Sequence, residues 1–272
     1  MADHVYERVP AGVAEIEHRY GGNVHLLRDP FLLTLLARLC SPETVQPEIN
    51  RLVKELYDRM ISRVVAAEFP RHRVEMPTRM ISSTPRGVYV GEVINPRTRA
   101  VVVDVARAGM LPAGVVYDAL NHVLEPRGVR QDHVVMSRTT DEETGAVTGV
   151  SLSGSKVAGD AAGAILIVPD PMGATGGSIC AAVDIYKREG MQPPAKTILM
   201  NLIVTPQYLK KVTTTHPEAV VYATRLDRGL SSAEVLKTIP GERWDEENGL
   251  NELQYIVPGG GGFGEIMNNA YV

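Results

Sequence analysis

A chain of 272 residues, 44% hydrophobic and 22% charged, is long enough to bury the core of one α/β domain and has an ordinary globular composition. Its formal net charge of −4 gives no electrostatic reason to expect nucleic acid or an anionic membrane surface as a partner. Any anionic substrate must therefore be bound by local cations.

The cysteine content and the N-terminal sequence favour a cytoplasmic location. Cys40 and Cys180 lie in apolar, helix-like segments and are expected to be free thiols in a reducing compartment. The N-terminus has no basic start followed by an apolar core, so no signal peptide is expected. The longest apolar runs are shorter than a membrane span.

The first part of the chain is predicted to be helical and then to form a β-arm. Residues 1–24 are polar and are expected to form an N-terminal arm, followed by a single domain over 25–272. Apolar residues at helical spacing give way, over about 71–96, to β-rich sequence punctuated by Pro and Gly, the expected β-arm. The predicted helices are 31–39 and 47–69, and the predicted arm strands are 74–81 and 88–94.

From residue 100 onward the pattern alternates between strands and helices. Such alternation predicts a parallel sheet covered by helices on both faces, with ligands at the carboxyl ends of the strands. The predicted strands are 100–105, 133–137, 164–168, 196–204 and 219–223, with a turn at 141–145. The predicted helices are 110–124, 179–188 and one that Thr205 caps and Pro206 opens.

Residues 164–178 form the most informative stretch, an apolar strand followed by a loop of small residues and a helix. The helix is expected to begin near Gly177 and to aim its positive end at the loop, where backbone N–H groups can approach an anion. Thr175 and Ser178 add hydroxyl donors, and Asp170 is left to face the sugar that carries the phosphate. The loop matches neither a Walker loop nor Gly-x-Gly-x-x-Gly. The predicted phosphate cradle comprises Asp170, Pro171, Met172, Gly173, Ala174, Thr175, Gly176, Gly177 and Ser178.

Arg107 is placed to meet the same anion. It follows the buried strand 100–105, and the carboxyl end of that strand lies beside the cradle in a parallel sheet. A planar guanidinium can make two charge-assisted hydrogen bonds to phosphate oxygens, which suits it to this position.

Three strings in the chain resemble the uracil phosphoribosyltransferase family. Asp-Pro-Met-Gly-Ala-Thr-Gly-Gly-Ser at 170–178 resembles the loop with which the family binds phosphoribosyl pyrophosphate. Ala-Arg-Ala-Gly at 106–109 resembles its pyrophosphate loop, and Tyr-Ile-Val-Pro-Gly at 255–259 resembles the start of its nucleobase loop. The family usually has Leu where this chain has Gly173, a departure that is expected to enlarge the cradle loop.

The resemblance implies roles for individual residues and for a metal. Arg107 and Arg138 would bind the diphosphate and Asp170 the ribose hydroxyls, and these are the expected catalytic residues. Thr139 and Thr140 separate Arg138 from an acidic run that follows the arginine directly in the family, so a solvated turn arginine stays the alternative. Mg²⁺ is the implied cofactor, held through the diphosphate and not by protein side chains alone. The implied partners are small-molecule substrates and a second copy of the chain in a homodimer or higher homo-oligomer.

The C-terminal hood, about residues 225–272, departs from the family where the base is expected to bind. The family has a Gly-Asp-Ala triplet that contacts the uracil edge, and its Asp helps to hold the metal–diphosphate. This chain lacks that carboxylate, which Glu265 could replace, and carries Phe263, whose ring either fills the pocket or swings outward. Residues 228–249 are an insertion next to this loop. The expected base-binding residues are Ile256, Gly261, Gly262 and Phe263.

The resemblance therefore implies an α/β protein with the type I phosphoribosyltransferase fold, a central parallel sheet flanked by helices, with a β-arm and a hood. It implies a pentosyltransferase that converts uracil and phosphoribosyl pyrophosphate to UMP and pyrophosphate in pyrimidine salvage. The altered hood leaves two alternatives: a phosphoribosyltransferase for another base, or a non-catalytic regulatory protein that binds phosphoribosyl nucleotides.

Overall fold

The computed structural model of the chain describes residues 12–140 and 147–270, with the backbone alone over 137–140 and 147–150. The turn predicted at 141–145, residues 1–11 of the predicted arm and the side chain of Arg138 lie outside this description. The helices are α1 (Pro30–Leu39), α2 (Glu48–Glu68), α3 (Met110–Asn121), α4 (Gly177–Ile185), α5 (Pro206–Thr215) and α6 (Phe263–Ile266). The strands are β1 (Val24–Leu26), β2 (Arg71–Pro77), β3 (Val88–Ile94), β4 (Ala100–Ala106), β5 (Val129–Thr140), β6 (Val147–Lys156), β7 (Ile165–Pro169), β8 (Met172–Gly173), β9 (Lys196–Val204) and β10 (Val220–Leu226).

The main sheet confirms the architecture predicted from strand–helix alternation. Its strands lie in the order β1-β10-β9-β7-β4-β5-β6, and the short β8 pairs with β9. The pairs are parallel apart from β5 with β6, which is antiparallel. The carboxyl ends of β4, β7 and β9 therefore meet at one edge, the edge at which a parallel sheet binds ligands.

Helices cover both faces of the sheet, which explains why its central strands are apolar without alternation. Along β4, Val102 packs into the core on the side of α1, α2 and α3, whereas Val101 and Val103 pack on the side of α4 and α5. Burial on both faces favours apolar side chains in β4, β7 and β9, because a buried polar group is costly unless it has a partner. The continuous apolar runs of the sequence reflect this double covering.

The β-arm is an antiparallel pair of β2 and β3, in which Arg71 lies opposite Ile94. The first strand begins earlier and ends earlier than predicted, because the chain leaves the ladder after Pro77 and forms a 3-10 turn over Arg79–Ser82. Thr78 caps that turn by accepting a hydrogen bond from the backbone N–H of Met80.

Two predicted helices are shorter than expected. Helix α3 ends at Asn121, not at residue 124, and α4 ends at Ile185, not at residue 188. After Ile185 the backbone N–H groups of Tyr186 and Lys187 donate to carbonyls three residues back, which tightens the chain into a turn. Apolar spacing continues through such turns, so periodicity overestimates the helix length.

The insertion at 228–249 is packed against the rest of the domain. Glu247 is buried there, and its carboxylate accepts hydrogen bonds from Arg228 Nη1 (2.7 Å), from the backbone N–H of Gly241 (2.9 Å) and from the hydroxyl of Tyr20. The indole N–H of Trp244 donates to the carbonyl of Pro206 at the start of α5 (2.9 Å). The insertion therefore connects the N-terminal segment to the helix beside the phosphate cradle.

Candidate active site

A cavity of about 600 Å³ opens at the carboxyl edge of the sheet, and five parts of the chain line it. They are the loop after β4, the phosphate cradle with the start of α4, residues of β5 and α5, and the hood. The lining residues are Val105, Ala106, Arg107, Ala108, Val135, Met136, Asp170, Met172, Ala174, Thr175, Gly176, Gly177, Ser178, Ile179, Tyr208, Gln254, Tyr255, Ile256, Gly261, Gly262, Phe263, Gly264 and Glu265.

The cradle begins at the end of β7 and leads into α4. Gly176 precedes the helix with φ of +82°, a left-handed backbone conformation that favours glycine. The loop is anchored from the α5 side, where Thr205 donates its hydroxyl to the carbonyl of Ala174 (2.6 Å) and its backbone N–H to the carbonyl of Gly173 (3.0 Å). These bonds fix the loop in the position in which it lines the cavity.

Asp170 lies at the junction of strand and cradle. Its Oδ1 accepts a hydrogen bond from the backbone N–H of Met172 (3.1 Å), and its carbonyl accepts one from the side-chain amide of Asn201 (2.7 Å). Asn201 is fully buried in β9, and sequence analysis did not identify it as part of the site. The signal was an amide inside the apolar run 198–204, since a buried polar side chain requires a partner.

The expected enlargement of the loop at Gly173 is wrong. A Cβ at this position would lie 2.9 Å from Val204 Cγ1 and 3.0 Å from Tyr208 Cγ, so the tyrosine ring already occupies the space. Tyr208 donates its hydroxyl to Asn201 Oδ1 (2.8 Å). Burial raises the pKa of Tyr208 well above its ordinary value, and the Asp170 carboxylate raises it further, so the phenol stays neutral.

Arg107 lies directly after β4 and lines the cavity. Its Nη1 donates to the carbonyl of Ala270 (3.1 Å), which brings the end of the described chain against this loop. The peptide bond between Ala106 and Arg107 is cis. Arg138 lies in β5, opposite Val150 of β6.

The hood is held in place by a charged pair that sequence analysis missed. Arg225, near the end of β10, binds Asp227 through two hydrogen bonds (2.6 and 2.7 Å). Both side chains also hold Gly259, because Asp227 accepts from its backbone N–H (2.7 Å) and Arg225 donates to its carbonyl (2.8 Å). The available signal was a pair of opposite charges directly after a buried strand.

The hood settles the two positions that the sequence left open. Phe263 is 1% exposed and its ring packs in the core beside Gly260, where a Cβ would lie 2.8 Å from Phe263 Cε1. The ring does not swing into solvent; it is buried and forms part of the wall of the cavity. A Cβ at Gly262 would lie 1.5 Å from Glu265 Oε2, so the Glu265 carboxylate occupies the space of a side chain at 262.

The described residues hold no group of three or more His, Cys, Asp and Glu side chains arranged to bind a metal ion. Asp170 and Glu265 are the carboxylates that line the cavity. Within the same residues, no helix has both the length and the apolar character needed to cross a bilayer.

The fold matches a solved structure over almost its full length. The AQ2163 protein from Aquifex aeolicus covers 92% of this chain and 99% of its own, with a TM-score of 0.66 and 19% sequence identity. The parallel sheet, its covering helices, the β-arm and the cleft at the carboxyl edge define the class of protein by structure: it has the type I phosphoribosyltransferase fold.

Sequence comparison narrows this class to one family. Relatives named uracil phosphoribosyltransferase from Thermoanaerobacter sp. and Geobacillus kaustophilus are each 29% identical to this chain over 90% of its length and over 97% and 98% of their own. The family profile described as uracil phosphoribosyltransferase matches residues 26–242. The chain belongs to the uracil phosphoribosyltransferase family and is therefore an enzyme of the pentosyltransferase class. The match of the profile ends before residues 254–265, the part of the hood that lines the cavity.

Proposed function

We propose that this enzyme transfers the phosphoribosyl group of phosphoribosyl pyrophosphate to uracil, producing UMP and pyrophosphate for pyrimidine salvage. The observation that carries the proposal is the shared cavity of about 600 Å³ that the Arg107 loop, the cradle and the hood line together. The phosphate, the diphosphate and the base each require different binding groups. In this proposal the cradle would bind the phosphate, the Arg107 loop the diphosphate and the hood the base.

In this proposal the cradle binds the 5′-phosphate. The loop from Ala174 to Ser178 presents backbone N–H groups and hydroxyls at the N-terminus of α4, where the helix dipole favours an anion. Binding energy from this remote phosphate would position the ribose for reaction.

The leaving diphosphate would be bound on the opposite side of the ribose. As its bond to the anomeric carbon breaks, positive charge develops on the ribose and negative charge on the diphosphate. Arg107 and Arg138 would stabilise the leaving charge, and Asp170 would hold the ribose hydroxyls and tolerate the cationic ring.

The donor set of the cleft fits Mg²⁺. This ion is usually bound through one or two carboxylates together with substrate phosphates, and Asp170 and Glu265 line the cavity. Bound with the diphosphate, Mg²⁺ would neutralise part of its charge. The protein carboxylates would orient that complex and would not form a complete metal site by themselves.

The base would contact the hood. Ile256, Gly261 and Gly262 line the cavity, and Gly261 and Gly262 can present backbone donors and acceptors to the edge of a pyrimidine. Phe263 also lines the cavity, and its buried ring would support the hood loop because it packs in the core.

A second candidate is the same reaction with another base. It is favoured by the departure of the hood from the family pattern at Gly262 and Phe263, which line the cavity where the base would bind. The insertion at 228–249 precedes those residues and supports the same alternative.

The remaining expectations stay predictions. The single domain over 25–272 is one of them. A homodimer or higher homo-oligomer is another, and it is supported by exposed apolar side chains on the β-arm, at Met76, Met80 and Ile81. A cytoplasmic location is supported by the free thiols of Cys40 and Cys180.

A panel of nucleobases tests the proposal. Purified protein is incubated with phosphoribosyl pyrophosphate, Mg²⁺ and one of uracil, cytosine, adenine, guanine or hypoxanthine, and the product is identified by its mass. We expect UMP. Product from another base alone would support the second candidate, and no product from any base would contradict transferase activity and favour a regulatory protein.

Arg107→Ala is the matched active-site variant. Loss of its charge-assisted bonds should lower kcat/KM by roughly 10- to 150-fold, which corresponds to about 1.5–3 kcal/mol. Arg127→Ala removes an exposed arginine from a 3-10 turn before β5 and should leave kcat/KM unchanged.

A further inference from the structure

The described lining of the cleft carries too little positive charge for its proposed ligand. Arg107 is the basic residue among the described lining side chains, and it is offset by the carboxylates of Asp170 and Glu265. A phosphate monoester brings about −1.5 to −2 charges at neutral pH. A cation close to the cradle, outside the cavity wall itself, would correct this balance.

Lys211 lies at that place. It is exposed on α5, and its stem packs against the cradle, because a Cβ at Gly176 would lie 3.2 Å from both Cβ and Cγ of Lys211. Gly176 immediately precedes α4, whose first N–H groups point towards the proposed phosphate. A lysine stem anchored here can extend its ammonium group to the same anion.

The charge of Lys211 is available in the described structure. The described residues give it neither an ion pair nor a hydrogen bond, whereas its neighbour Lys210 forms an ion pair with Asp245 of the insertion. The charge also acts on the first turn of α4. Burial raises the pKa of the Cys180 thiol, and a hydrogen bond with Thr215 and the positive charge of Lys211 oppose that rise.

We propose that Lys211 is a phosphate-binding residue, which closes the cradle from the α5 side by donating a charge-assisted hydrogen bond to the 5′-phosphate. This inference rests on the proposed function, since it requires a phosphoribosyl ligand in the cradle. Lys211 would add a positive charge from α5, outside the cradle sequence at 170–178. The recognition is of the phosphate and is independent of the base.

Calorimetry with base-free and phosphate-free ligands tests the role of Lys211. Ribose 5-phosphate and UMP carry the phosphate, whereas uridine does not. In Lys211→Gln the Kd of both phosphate ligands should rise about tenfold, as expected for loss of one charge-assisted hydrogen bond, with no change for uridine. Lys211→Arg keeps the charge and should bind both phosphate ligands within about threefold of wild type.

Lys210→Gln is the control for a general loss of charge on α5, and it should leave both affinities unchanged. Unaltered affinities in Lys211→Gln, or an equal loss in Lys210→Gln, would overturn the role of Lys211 while the proposed function stands. If the wild type binds neither phosphate ligand, the cradle assignment fails, and the role of Lys211 fails with it.

Discussion

At two glycines of this site, a neighbouring residue fills the space that a side chain would otherwise occupy. At Gly173 and at Gly262 the chain lacks a side chain that the family resemblance leads one to expect, and in both places another residue fills the space. Tyr208 packs against the first glycine, and Glu265 extends its carboxylate over the second. Close packing makes this possible, because a folded interior leaves few voids and a neighbouring group takes up the available volume.

Glu265 and Gly262 therefore form a pair that a double-mutant cycle can test. We expect Glu265→Ala to raise the Kd for phosphoribosyl pyrophosphate with Mg²⁺ about tenfold, through loss of the carboxylate. Gly262→Asp alone should also weaken binding, since the flexible Glu265 side chain must move aside and two neighbouring carboxylates would then repel the diphosphate. The double variant regains one carboxylate without the second and should bind within about threefold of wild type. Calorimetry measures all four proteins.

The backbone permits this exchange, because Gly262 has φ of −82° and ψ of 94°, which any residue adopts. Glu252→Ala removes an exposed glutamate outside the cavity and is the matched control. Additive losses in the double variant would mean that Glu265 does not take the place of a side chain at 262.

At the scale of elements, the sequence predicts the helices and strands that have a strong apolar pattern. It does not predict the contacts between distant parts of the chain. The helix predicted at 47–69 and the strands of the parallel sheet could be recognised because burial imposes an apolar periodicity on each of them. The Thr205 cap and the opening proline of α5 are confirmed. The buried position of Glu247 could not be predicted, since it depends on a partner distant in sequence, Tyr20.

The candidate site likewise contains parts that are continuous in sequence and parts that form only when distant segments pack together. The cradle and the Arg107 loop are continuous in sequence, so the string itself reveals them. The contribution of Asn201, Thr205 and the Arg225–Asp227 pair exists only after strands and helices pack together. The buried position of Phe263 also depends on the whole core.

Thr205 caps α5 and also forms a hydrogen bond with the cradle. Its side chain accepts the backbone N–H of Tyr208 (3.0 Å), which caps α5, and donates to the carbonyl of Ala174 in the cradle (2.6 Å). Thr205→Ala should lower the free energy of unfolding by about 1–2 kcal/mol, through the lost cap and an unsatisfied carbonyl. It should also weaken ribose 5-phosphate binding, because the loop loses an anchor. Urea denaturation and calorimetry measure the two effects.

Thr214→Ala provides the control on the same helix. Thr214 is exposed, so its removal should change stability by less than about 0.5 kcal/mol. If Thr205→Ala loses stability and retains full ribose 5-phosphate affinity, the threonine acts as a helix cap without orienting the cradle.

At the scale of the whole molecule, the carboxyl edge of the main sheet, where its parallel strands end, differs chemically from the amino edge, where they begin. The carboxyl edge carries the cleft, whereas the amino edge carries a cavity of about 730 Å³ bordered by paired charges. There Lys196, at the start of β9, donates to Glu68 at the end of α2 (2.6 Å), and Tyr222 of β10 donates to the same carboxylate (2.5 Å). These bonds join α2 to β9 and β10, so the amino edge contributes to the stability of the fold.

Glu68 should make the stability of the domain depend on pH. Burial opposes its ionisation, but the hydrogen bonds from Lys196 and Tyr222 outweigh burial and hold the pKa of Glu68 below 4.5 in the folded state. A lowered folded pKa favours the ionised form, so the stabilisation is complete above the unfolded pKa and is lost as the pH falls through the folded pKa. Glu68→Gln should therefore be less stable than wild type near neutral pH, and the difference should shrink in acid.

Urea denaturation at pH values from about 7 to about 3 measures this difference, and the shape of the curve is the informative result. The amide oxygen that Glu68→Gln introduces can still accept the hydroxyl of Tyr222, so the variant removes the charge and retains a hydrogen bond. Glu43→Gln, at an exposed position on the loop after α1, is the control and should follow the wild-type curve. A difference between Glu68→Gln and wild type that stays constant down to the lowest pH would show that Glu68 stabilises the fold by packing and not through its charge.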